Sequence, residues 1–146
     1  MQDAFGGLLN IIFIALFLVI VEGILGLVVN YSKAFRMKNF VISNIERYEA
    51  YGCFEDRASG NTDCRNKISN GAKSIGYSPT SLLHCDTGNL FVESDSLFCY
   101  KEQVSTSGNY RYYTIVTQVD INIPIINNIM GLSFFQVHGD TRVIKR

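Results

Sequence analysis

From Phe5 to Val29 the chain reads FGGLLNIIFIALFLVIVEGILGLVV, a run with one ionisable residue, Glu22. About 20 consecutive apolar residues are what an α-helix needs to cross the roughly 30 Å hydrocarbon core of a bilayer. A helix that is apolar all round needs lipid or a large protein interior around it. The 146-residue chain leaves one small domain for everything else, too small to cover such a helix. No Lys or Arg precedes the run and no A-x-A-like site follows it, so the segment is expected to be retained as a single-pass anchor and not cleaved as a secretory signal.

The helical pattern continues past the run. Between Tyr31 and Tyr51, Met37, Val41, Ile45 and Tyr48 recur at helical spacing, whereas Lys33, Arg36, Lys38, Glu46 and Arg47 fall mostly elsewhere. This predicts one helix from about residue 4 to about residue 51, its second half an amphipathic stem laid on the rest of the chain. Lys and Arg just beyond the span suit an anchor at the interface.

Glu22 stands out, because a carboxylate near mid-membrane costs about 2.5 to 3.5 kcal/mol on insertion scales and so tends to mark a pairing site or an ion pathway. Two readings stand side by side. Glu22 joins a helix–helix contact, or it is protonated or held by Asn30 or Lys33 further along its own helix. Gly6, Gly7, Gly23 and Gly26 permit close helix approach, so Glu22, Gly23 and Gly26 are the candidate assembly residues.

After the stem, RNKISNGAKSIGYSP keeps Ile68, Ala72 and Ile75 at helical spacing and supplies Gly76 to Pro79 as a stop, which predicts a short second helix. Beyond Pro79 the segments SLLHC, NLFVE, SLFCYKEQV, NYRYYTIVTQVDINI, GLSFFQVHG and TRVIKR are rich in β-branched and aromatic residues. Asp-Thr-Gly-Asn, Ser-Thr-Ser-Gly-Asn and the Pro124 to Gly131 stretch separate them. The expected fold class is α+β: a long membrane-spanning helix with an amphipathic stem, a short second helix, and an antiparallel sheet of four or five strands with the stem across one face. The expected division is 1–51 for the helix and 52–146 for an extracytoplasmic β-rich domain.

The four cysteines, Cys53, Cys64, Cys85 and Cys99, form no CxxC pair, and His84 and His138 complete no metal-ligand spacing, so no metal is expected. An even number in a small non-cytosolic domain points to disulfides. Of three possible connectivities, Cys53 with Cys64 and Cys85 with Cys99 is favoured: the first would close the loop between the helices, the second a hairpin. No phosphate-loop, dinucleotide, zinc-protease or nucleophile-elbow pattern is present, and Asn70-Gly-Ala-Lys73-Ser lacks phosphate-loop spacing. Glu93, Asp95 and Glu102 read as a solvated face, and Tyr110, Tyr112 and Tyr113 as cross-strand packing. Asn30-Tyr31-Ser32 reads as a chance glycosylation sequon. Basic and acidic residues balance at 13 each, so no net field recruits nucleic acid, and neither enzymatic activity nor a cofactor is expected.

The layout resembles a type IV pilin-like subunit, and more narrowly the TadE-like proteins of tight-adherence pili. The resemblance rests on the apolar start with Glu22-Gly23 late in the span, the stem ending NIERYEAYG, the second helix followed by GYSP, and the tail VDINIPIINNIMGLSFFQVHGDTRVIKR. That family has a proline-containing strand linker and a closing strand ending in a Gly-acidic-Thr-Arg phrase, for which Gly139-Asp140-Thr141-Arg142 stands here. The chain departs from type IV prepilins in having no basic residue before Gly6-Gly7 and no Glu five residues after them. The resemblance implies a structural role: membrane-embedded subunits that pack their N-terminal helices into a homo-oligomeric helical filament, together with other pilin-like subunits and assembly machinery, for adhesion or secretion. Lys33, Arg36, Lys38 and Arg47 after the span would by the positive-inside rule place the domain in the cytoplasm. The disulfide reading and the resemblance outweigh that bias and place it at the cell surface. The competing reading is a single-span accessory protein that binds a partner at the membrane without polymerising.

Overall fold

The computed structural model describes residues 2–54, 62–79, 85, 88–93, 96–106, 108–121 and 134–145. Two helices, α1 (Gln2–Arg47) and α2 (Asp63–Ile75), precede five strands: β1 (Asn89–Glu93), β2 (Ser96–Val104), β3 (Tyr110–Asp120), β4 (Phe134–Asp140) and β5 (Ile144–Lys145). The expected strand SLLHC up to Cys85, the Pro124 to Gly131 connection, His84 and Asp95 lie outside the described residues.

α1 has 46 residues, roughly 70 Å at 1.5 Å per residue. It stops at Arg47, short of the expected residue 51, because the backbone turns left-handed at Glu49 (φ 51°) and Ala50 (φ 65°). There the Ala50 N–H reaches back to the Ile45 carbonyl (2.8 Å) and the Glu49 N–H to Glu46 (3.4 Å), which closes the last turn. α2 ends on the same pair of bonds. Gly76, at φ 68°, donates to Lys73 (3.2 Å), and Tyr77 donates to Ala72 (3.2 Å). α2 uses the residue that adopts this conformation without strain, and α1 uses Glu49 in its place.

The sheet is antiparallel in the order β1-β2-β3-β4, and β5 pairs with β3 at Tyr110 and Arg111, above the end of β4. Alternation along β3 sends Tyr113, Ile115, Thr117 and Val119 to one face, where with Phe91 and Phe98 they meet Ala34, Met37, Val41 and Ile45 of α1 in a single core. Tyr48, the fourth stem residue, is half-buried against it. α2 presents Cys64, Ile68 and Ala72 to the same core, and it lies so close to α1 at Gly71 that a Cβ there would overlap the Phe40 ring.

The chain is stapled by Cys53–Cys64, which ties the end of α1 to the first turn of α2, and by Cys85–Cys99, which ties the chain before β1 to β2. Each closes a short loop of the kind that stabilises a small domain by about 2 to 4 kcal/mol.

Candidate functional site

α1 divides at Asn30. Its first half is long and apolar enough to cross a membrane, and none of its most apolar window is covered by the rest of the chain. Ile11, Phe13 and Phe17 are each more than 60 % exposed. Glu22 is exposed and Gly23 half-buried, and with Gly26 they share one turn of this bare half. A Cβ added at Gly6, Gly7 or Gly26 would meet nothing within 4 Å, so packing within the chain gives no reason for glycine there.

Of the local readings of Glu22, a contact with Asn30 or Lys33 does not fit the geometry. Along a helix Asn30 stands about 12 Å and Lys33 about 16 Å above Glu22, beyond side-chain contact. The Asn30 amide is also already used: its Nδ2 donates to the Asp120 carbonyl at the end of β3 (3.2 Å). The sequon asparagine is thus a structural joint between helix and sheet.

The second half of α1 is seated on the sheet by three such joints one helical turn apart. Asn30 bonds Asp120, the Ala34 carbonyl accepts the Thr117 hydroxyl (3.1 Å, buried), and Lys38 Nζ donates to the His138 carbonyl (3.5 Å). Where the helix crosses β4, Gly139 leaves room for Lys38 and Ile42. The Gly139-Asp140-Thr141-Arg142 phrase closes the joint. Asp140 accepts the Thr114 hydroxyl (2.7 Å), and Thr141 bonds Tyr113 through both its N–H (2.9 Å) and its side-chain oxygen (2.9 Å). Arg142 meets Glu46 through its backbone N–H (2.7 Å) and its guanidinium (3.9 Å), 96 residues away in sequence. The phrase is a clasp between the last strands and the end of α1.

Tyr77 locks the lower end of α2 to β3. Its hydroxyl accepts the Gln118 N–H (3.0 Å) and is 4 % exposed. Burial pushes that hydroxyl up to about 12, with the Gln118 bond opposing the shift and the Asp120 charge adding to it.

On the sheet face away from α1, Tyr112 donates to Gln103, Gln103 to Thr114 (3.2 Å), and Thr114 to Asp140, a polar ladder across three strands. Beside it a shallow groove runs past the Cys85–Cys99 bridge to Lys101, Gln136 and His138. Glu102 is ion-paired with Arg111 (3.6 Å) and also accepts the Tyr113 hydroxyl (3.3 Å). Of the three strand tyrosines, Tyr113 is in the core, Tyr112 in the ladder, and Tyr110 exposed. Asn70-Gly-Ala-Lys73-Ser lies within α2. Among the described residues no group of His, Cys, Asp and Glu is arranged to hold a metal.

The sequence reading missed Asn30, Thr117, Glu46 and Arg142 as joints. The tail phrase marked the place of the clasp but not its partner on α1. No protein-family model, curated protein or solved structure matches the chain.

Proposed function

We propose that the protein is a structural, pilin-like subunit of a bacterial surface filament, inserted in the membrane by the first half of α1 before assembly and packed through that half afterwards. One observation carries the reading. A single continuous helix is seated on its own domain from Asn30 upward, and none of the most apolar window below Asn30 is buried. Lipid covers such a surface in the bilayer, and a bundle of identical helices covers it in a filament. Heterologous contacts that repeat without closing generate an open fibre.

Glu22, Gly23 and Gly26 are the residues through which neighbouring helices approach, with adhesion or secretion as the role of the filament. The two disulfides support an oxidising, surface-exposed setting for the domain. The test is negative-stain electron microscopy of sheared surface material, with immunogold against residues 51–146. Labelled filaments are expected, and Glu22→Ala is expected to reduce them. Label confined to the envelope without filaments would replace this reading with that of a non-polymerising membrane accessory protein.

A further inference from the structure

The register of the sheet places one strand end at the level where the apolar run stops. Phe134 is paired with Asp120, whose carbonyl holds the amide of Asn30, the residue that follows Val29. The lower rim of the sheet therefore lies level with the end of the run, although Phe134 is more than 100 residues beyond it in sequence. At that level stand four aromatic rings from two elements, Tyr31, Phe35 and Phe135 in one group and Phe134 on the opposite face of β4. Tyr31 stacks on Phe35 (6.2 Å between centroids) and on Phe135 (6.0 Å). Tyr31, Phe35 and Phe134 are 44 %, 41 % and 37 % exposed, large for rings in a folded domain. Cations are interleaved with them: Lys38 Nζ lies 4.4 Å from the Phe35 ring centre, and the exposed Arg36 and half-buried Lys33 stand on the same two turns of α1.

Taking the membrane-spanning reading of α1 as its basis, we propose that this rim of Tyr31, Phe35, Phe134 and Phe135, with Lys33, Arg36 and Lys38, rests in the headgroup layer of the bilayer. It thereby fixes the tilt of the whole domain against the membrane. A Tyr ring settles at the boundary between hydrocarbon and water, Phe rings enter the headgroup and acyl boundary as they do from interfacial helices, and Lys and Arg beside a span reach the phosphates. A cationic surface at that height favours anionic phospholipid. The mixture of rings and cations fits lipid better than a rim-to-rim contact with a second copy, which would bring like charges together.

The chain has no Trp, so one introduced indole is the sole emitter of its kind and reports the depth of its own position. Three full-length variants, Phe17→Trp, Phe134→Trp and Val143→Trp, are reconstituted in vesicles of phosphatidylcholine and phosphatidylglycerol that carry bromines either high or deep on the acyl chains. Deep bromines are expected to quench Phe17→Trp, shallow bromines to quench Phe134→Trp, and neither to quench Val143→Trp at the far end of the domain. Quenching of Phe17→Trp without any of Phe134→Trp would overturn the docking of the rim and leave the span intact. Loss of quenching at Phe17→Trp would instead remove the membrane reading itself. A Phe134→Trp emission that shifts to the blue with protein concentration yet resists bromine would mean that a second copy covers the rim, which also overturns the proposal. Adding Lys33→Gln, Arg36→Gln and Lys38→Gln to Phe134→Trp is expected to remove the gain in quenching that phosphatidylglycerol brings at low salt. An unchanged gain would overturn the part assigned to the cations.

Discussion

The two halves of α1 share one backbone and one helical period, and the rest of the chain treats them oppositely. Met37, Val41 and Ile45 are wholly covered, whereas Ile11, Phe13 and Phe17 are among the most exposed large apolar side chains of the described residues. Hydrophobicity does not separate them, since the bare half is the more apolar. The difference lies in what each half can offer a sheet. From Asn30 onward apolar and polar positions alternate by face, so one stripe enters the core while Asn30 and Lys38 reach sheet carbonyls. Below Asn30 every face is alike, and a small sheet has no means of choosing one. A uniformly apolar helix is left to a uniformly apolar surrounding, which lipid or identical helices supply and the domain does not.

The largest test of this contrast compares Met37→Ala with Phe17→Ala. Met37→Ala should lower domain stability by about 2 to 5 kcal/mol, because a buried long side chain leaves a cavity. Phe17→Ala should leave it within about 0.5 kcal/mol, as a site outside any packed feature does. Urea denaturation of the detergent-solubilised protein, followed by near-ultraviolet circular dichroism, reads both, and equal losses would break the division at Asn30.

The joints of the seated region can be sharpened next through Tyr77. Its hydroxyl ionises near 10 when unfolded and at about 12 in the fold, so the stability that burial of the neutral form contributes is complete below pH 10 and is lost as pH rises toward 12. By linkage the wild type should lose about 2 to 3 kcal/mol between those limits relative to Tyr77→Phe. Parallel pH dependences of the two proteins would refute the assignment.

Third in size is Gly71→Ala, which puts a methyl group into the Phe40 ring and should cost about 1 to 3 kcal/mol, measured as a fall in Tm. Gly26→Ala in the bare half meets open space and should leave the Tm of the isolated subunit unmoved. If the proposed filament forms, any effect of Gly26→Ala should be confined to its assembly. The smallest expected effect is at the end of the seated half. Glu49→Gly relieves a left-handed non-glycine residue and should raise stability by about 0.5 kcal/mol, the steric relief being partly offset by the entropy that glycine loses on folding. A decrease would mean that the Glu49 side chain contributes more than its backbone costs.

Much of this architecture was legible in local pattern. The run from Phe5 to Val29 marked a helix suited to lipid, the spacing of Met37, Val41, Ile45 and Tyr48 marked the seated face, and NLFVE, SLFCYKEQV and the tyrosine-rich segment marked three strands within a few residues of their ends. The favoured pairing among three, Cys53 with Cys64 and Cys85 with Cys99, is the one the structure has. The end of α1 was misplaced for a definite reason: sequence stops are read from Gly and Pro, and Glu49 and Ala50 carry no such mark. The part Asn30 plays in seating α1 was not legible either, because its partner, Asp120, is 90 residues away.

Periodicity and composition are properties of neighbours along the chain, and they determined which segments are helix or strand, which face is apolar and which stretch suits a bilayer. Only the tertiary structure decided where α1 lets go of the sheet, that Arg142 clasps Glu46, and that Phe134 and Phe135 stand level with Tyr31 at the foot of the domain. Those facts depend on strand register and on hydrogen bonds between residues 80 to 100 positions apart, and these form only once the core has brought the distant segments together.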